Sequence, residues 1–108
     1  MIARFGYFEG LTEQQKKAQE DNARRRFKAA LSSQPGILAV FFMEASNGDR
    51  MSISIWESKQ AMEAGGAKAN ATPLLPGQRG EDIPDASRVE FWEVLDHFVT
   101  PETAPVFP

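Results

Sequence analysis

Ser52, Ser54 and Trp56 alternate along the short apolar run MSISIW, so an extended chain would point all three to one face. An indole beside two hydroxyls is the make-up of a pocket wall, which is mostly apolar with a few polar groups that orient a ligand. The same three residues also suit plain packing. Other side chains able to do chemistry are scattered. Tyr7 can donate a phenolic hydrogen bond, and Arg4 can bind a carboxylate or pair with Glu44 or Glu90. Asn22, in a helical stretch near Arg26 and Phe27, would be an odd core residue, which suggests that it faces a cavity. Asp96 and His97 alternate in facing and cannot support each other as an acid–base pair. Arg24, Arg25 and Arg26 read as a solvated helix face with Glu20 and Asp21 as partners. One histidine and no cysteine leave no nucleophilic triad, no thiolate site and no histidine metal cluster. No glycine-rich phosphate loop follows a strand. The expectation is a protein that needs no metal, flavin or haem.

The 108 residues match one ordinary domain, and 42% hydrophobic with 25% charged residues is normal for a globular protein. A net charge of −3 gives no general attraction to nucleic acid or anionic membrane. No apolar stretch approaches the roughly 20 residues of a membrane span, and the first residues lack the pattern of a signal peptide. With no cysteine, this fits a reducing cytoplasm.

The elements that must position these residues are legible. IARFGYFE, residues 2–9, is strand-like. Thr12 and Gln15 form a capping-box pattern that opens a helix to about Ser33, ended by Pro35 and Gly36. Its apolar stripe, Ala18, Ala23, Phe27, Ala30 and Leu31, is thin and rich in alanine. Residues 37–45 form a nearly continuous apolar strand. Asn47-Gly48 marks a hairpin into residues 50–57. Ser58 caps a second helix to about Ala71, a Pro/Gly-rich loop spans Thr72 to Ala86, and residues 87–98 form the last strand. The order β-α-β-β-α-β predicts a ferredoxin-like α+β fold over residues 1–98, with both helices on one face of a four-stranded antiparallel sheet. Residues 99–108 read as an extended tail. Both faces of the strands are apolar, so a second copy of the chain is expected to cover the face without helices.

With Asn47-Gly48 as a two-residue turn, Ser46 pairs with Asp49. Met43 then faces Ser52, Phe41 faces Ser54 and Ala39 faces Trp56, on one face of the sheet. Leu38, Val40, Phe42, Met51, Ile53 and Ile55 occupy the other. This register predicts an enclosed cavity bounded by Trp56, Phe41 and Ser54, floored by Ser52 and roofed by the first helix near Asn22 and Ala23. The long loop is expected beside its mouth or across a dimer seam.

The element order, the doubly apolar strands and the junction SISIWESKQAMEA resemble the dimeric α+β barrels, specifically the antibiotic biosynthesis monooxygenase-like group. The resemblance spans residues 1–98 and implies a homodimer whose two sheets close into one barrel. It implies a range of activities, from cofactor-independent oxygenases of aromatic polyketides to haem-degrading oxygenases. The haem-degrading branch uses an Asn on the first strand, a Trp at the end of the third and a His on the second helix. Trp56 matches, but residues 2–9 hold no Asn and residues 59–71 no His. The reading is therefore a cofactor-independent enzyme acting on a small aromatic molecule, with Trp56, Ser54, Ser52, Phe41, Tyr7 and Asn22 as pocket candidates. The alternative is a non-catalytic homodimeric ligand-binding or assembly module.

Overall fold

In the computed structural model, residues 1–100 are described. The strands are β1 (Ile2–Phe8), β2 (Ile37–Glu44), β3 (Arg50–Trp56) and β4 (Arg88–Glu93). They form one antiparallel sheet in the order β2-β3-β1-β4, with β1 and β3 central. Between β1 and β2, α1 (Glu13–Asn22) runs through a π-helical turn (Ala23–Phe27) into α2 (Lys28–Ser32). Between β3 and β4 lie α3 (Lys59–Ala71) and a 3-10 turn (Gly80–Asp82). This is the ferredoxin-like α+β arrangement that the element order predicts.

Local chemistry sets the helix starts. Thr12 Oγ1 accepts from the Gln15 backbone N–H at 3.1 Å, and Gln15 Oε1 accepts from the Thr12 N–H at 2.9 Å, completing the capping box. Ser58 Oγ accepts from the Ala61 N–H at 3.1 Å and starts α3. Met62, Gly65 and Ala69 are the buried residues of α3, spaced three and four apart as a helix face over a sheet requires.

The hairpin departs from the expected register. Gly48 N–H donates to Ala45 O and Ala45 N–H to Asp49 O, so the loop has three residues, Ser46-Asn47-Gly48. Gly48 takes the left-handed conformation, φ 90°, which closes a bulge of this kind. Asn47 selects it: its side-chain oxygen accepts from the Asp49 N–H at 3.0 Å and its amide donates to Asp49 Oδ2 at 3.1 Å. One extra loop residue turns every β2 side chain over relative to β3. Val40 and Phe42, not Phe41 and Met43, therefore face Ser54 and Ser52. A second irregularity between Ile37 and Ala39 sets Ile37, not Ala39, opposite Trp56 and leaves Leu38 exposed.

The last strand is also shorter than expected. Val94 N–H donates to Met1 O just past the end of β4. Leu95, Phe98 and Val99 follow with 90%, 87% and 62% exposure. His97 stands in this segment, its N–H donating to Asp96 Oδ1 at 2.8 Å. Most of the expected tail, residues 101–108, lies outside the described residues.

Arg50 ties the hairpin to α1. Its guanidinium donates to Glu44 Oε2 at 2.8 Å and Glu20 Oε1 at 2.7 Å, and also to the Lys16 carbonyl at 3.2 Å. The hydrogen bond from Arg50 holds the Glu44 carboxyl below its ordinary 4.5, and Gln78 then Arg25 do the same for Asp21 below 3.8. Depressed carboxyl values mean that these groups stabilise the fold fully above their unfolded values. That stability is lost as pH falls through the folded ones. The urea midpoint should stay level from neutral pH down to about 5 and drop on further acidification. Glu44→Gln should flatten part of that slope in denaturation measured along a pH series.

Candidate functional site

A cleft of about 1040 Å³ lies between the sheet and the helical layer. Its sheet side is the even-numbered face of β1 and β3: Ile2 and Arg4, then Ser52, Ser54 and Trp56, with Val40 and Phe42 from β2 and Phe91 from β4. Its helical side includes Asn22, Ala23, Phe27 and Leu31, and the loop adds Leu74 and Ile83 to Ala86. The cleft is open rather than enclosed, since Phe42 and Phe91 on its walls are 51% and 57% exposed.

Trp56 anchors the deep end. It is 1% exposed, and among the described residues its Nε1–H has no hydrogen-bond partner. Its ring lies against Gly65 of α3, where a Cβ would come within 2.4 Å of Cζ3 and 2.6 Å of Cη2. A buried unmade hydrogen bond costs about 1–3 kcal/mol.

Of the sequence candidates, Trp56, Ser54, Ser52 and Asn22 line the cleft. Asn22 is 4% exposed and its Oδ1 accepts from Arg26 Nη1 at 3.1 Å. Phe41 and Tyr7 are not among the lining residues. Phe41 lies opposite Ile53, on the face away from the helices, because of the hairpin bulge. Tyr7 shares that face: its ring lies 3.6 Å beneath the Arg88 guanidinium, and a hydrogen bond to Glu90 holds its hydroxyl above the ordinary tyrosine value.

Arg26 departs from the expected solvated face. Arg24 and Arg25 are exposed as expected, Arg25 3.0 Å from Asp21, while Glu20 goes to Arg50. Arg26 is 8% exposed, stacks 5.1 Å over Phe27, and donates to the carbonyls of Thr72 and Asn70 and to Asn22. Arg26 stands four residues after Asn22, one turn on along the same inner face of the helix. Arg26 thereby holds the end of α3 and the start of the loop that borders the cleft.

Arg4 takes neither partner expected of it. Glu44 is held by Arg50 and Lys16, and Glu90 by Arg88. Burial pushes the Arg4 guanidinium below its ordinary value. Among the described residues no three His, Cys, Asp or Glu gather as a metal site. The cleft offers no histidine, cysteine or tyrosine to a haem iron. No described helix is long and apolar enough to cross a membrane.

No protein-family profile matches the chain, and no curated protein matches it. Solved structures do. A variant of MhuD with two manganese protoporphyrin IX molecules bound per active site superposes with a TM-score of 0.70 at 14% identity, covering 93% of this chain and 100% of that one. A monooxygenase from the ActVA-Orf6 gene of Streptomyces coelicolor, in complex with nanaomycin D, gives 0.63 at 18% identity, covering 92% and 90%. A variant of SnoaB, a cofactor-independent oxygenase from Streptomyces nogalater, gives 0.62 at 13% identity, covering 89% and 94%. The chain shares the fold of these three structures, a ferredoxin-like α+β arrangement.

Proposed function

We propose that this chain is a cofactor-independent oxygenase that holds a small aromatic molecule in the cleft, and that it works as a homodimer. The observation that carries the reading is a roomy cleft between sheet and helices, walled by aromatic and aliphatic side chains with a few polar groups among them. The fold neighbours support the same chemistry, since SnoaB is named a cofactor-independent oxygenase and the ActVA-Orf6 product a monooxygenase.

An anthrone illustrates the reaction. Its acidic C–H proton passes to solvent and leaves an enolate. The carbanionic carbon reduces dioxygen and forms a C–O bond to it. Loss of water from the peroxide leaves a quinone, so one anthrone and one dioxygen give one anthraquinone and one water. The protein contributes orientation.

The test is oxygen uptake with anthrone and no added cofactor, with anthraquinone followed by absorbance. The expected result is one dioxygen per quinone, faster than the uncatalysed background. Ser54→Phe, which fills the cleft opposite Arg4 and Val40, should leave the circular dichroism unchanged and return the rate to background. A second reading, a non-catalytic binding module, is favoured by the absence of histidine from the cleft lining. It would show as anthrone binding without uptake.

A further inference from the structure

The inner cleft has donors and almost no acceptors. Arg4 lies at the centre of β1, opposite Ser54 on one side and Phe91 on the other. Among the described residues it has neither a hydrogen bond nor an ion pair. The other inward arginines, Arg26 and Arg50, are fully engaged. The hydroxyls of Ser52 and Ser54 also lack a partner within the described chain. Gly6 opens a notch between them: a Cβ there would sit 3.0 Å from Ser52 Oγ and 3.4 Å from Arg4 Nη1, with Ala86 Cβ at 3.7 Å as its wall. A serine hydroxyl and a guanidinium therefore lean towards one point.

The charge balance points the same way. The acceptors that Arg26 uses are all neutral oxygens, so it adds a second cation with no carboxylate beside it. The carboxylates that line the cleft, Glu63 and Asp85, are both exposed at its rim, and Glu63 pairs with Lys59 at 3.8 Å. A chain with net charge −3 has thus built a cationic interior. A half-buried guanidinium without a counter-charge is costly, and a ligand that brings one relieves that cost.

We propose that the ligand is an aromatic carboxylate whose acid group is bound by Arg4 with the hydroxyls of Ser52 and Ser54, its ring body running along the cleft towards Trp56. The planar guanidinium matches a carboxylate with two parallel hydrogen bonds. The inference rests on the cleft being the ligand site and adds the charge and orientation of what it takes.

The test compares 2-naphthoate with its neutral amide, 2-naphthamide, by isothermal titration. The wild-type chain should bind the acid about tenfold to hundredfold more tightly, the range for a hydrogen bond to a charged group. Arg4→Met should abolish that preference by weakening the acid alone, and Arg4→Lys should keep part of it. Ser54→Phe should remove both probes. Equal affinity for acid and amide in the wild type, or a preference that survives Arg4→Met, would overturn the inference and leave the cleft as the ligand site. Failure of both probes to bind, or binding that survives Ser54→Phe, would overturn both readings. Should Arg4→Met not fold, salt decides in the wild type: raising ionic strength tenfold should weaken the acid and leave the amide unchanged. An acid affinity indifferent to salt would count against Arg4.

Discussion

Trp56→Ala is expected to destabilise the fold by about 3–5 kcal/mol, the cost of emptying a large aromatic site in a core. Among the described residues Trp56 is the largest fully buried side chain, and it joins the end of β3 to α3 with few other buried apolar groups. Trp56→Phe separates its two roles. Phenylalanine keeps most of the apolar contact and removes the unpartnered N–H, so stability should fall by less than for alanine. If that N–H serves a ligand, oxygen uptake should fall far more than stability does. Equal loss in both would make Trp56 a packing residue only. The partner position gives an independent check by chemical denaturation. Gly65→Ala would force a Cβ to within 2.4 Å of the indole. It should cost about 1–3 kcal/mol, the range for overpacking, despite the better helix propensity of alanine. Gly66→Ala, one residue on and with nothing within 4 Å of its Cβ, should stabilise by up to about 1 kcal/mol. The opposite signs at adjacent glycines would place the ring where the structure has it.

The element order, both helix caps and the alignment of Ser52, Ser54 and Trp56 on one face could be read from residue types, because capping chemistry and strand alternation are local. What failed depended on one extra residue. Asn47-Gly48 fits a two-residue turn and a three-residue loop with a bulge equally well. The choice rests on Asn47 reaching the Asp49 backbone. That choice exchanged Phe41 for Phe42 in the cleft. Arg26 was misjudged because three consecutive arginines read as one solvated face, although Arg26 lies four residues after Asn22 and shares its side of the helix. Arg4 was legible as a residue type, but its lack of a partner was not. That followed only once Glu44 and Glu90 were seen to be held elsewhere, by Arg50 and Arg88.

Ile53→Lys should turn a dimer into a monomer. The face of the sheet away from the helices carries Phe5, Ala39, Phe41, Met43, Met51, Ile53, Ile55 and Trp92, and no described element of the chain covers it. Phe5 and Trp92 meet edge to face there, with ring centroids 6.5 Å apart, and Trp92 is still 59% exposed. Past β4, Leu95, Phe98 and Val99 are also exposed apolar side chains. A patch of that extent on a lone chain is the mark of an interface, and a second copy offers the same strands in a self-complementary way. Ile53 stands on β3, in the middle of the sheet. On a face open to water, lysine there would be tolerated. In a sheet-to-sheet interface, each copy would bury an unpaired ammonium, at about 3–5 kcal/mol apiece. The dissociation constant should therefore rise by at least about a thousandfold. Sedimentation equilibrium over a micromolar range should show a dimer for the unmodified chain and a folded monomer for Ile53→Lys. A monomeric unmodified chain would sink the assembly proposal, and a lysine variant that still dimerises would move the interface to another face.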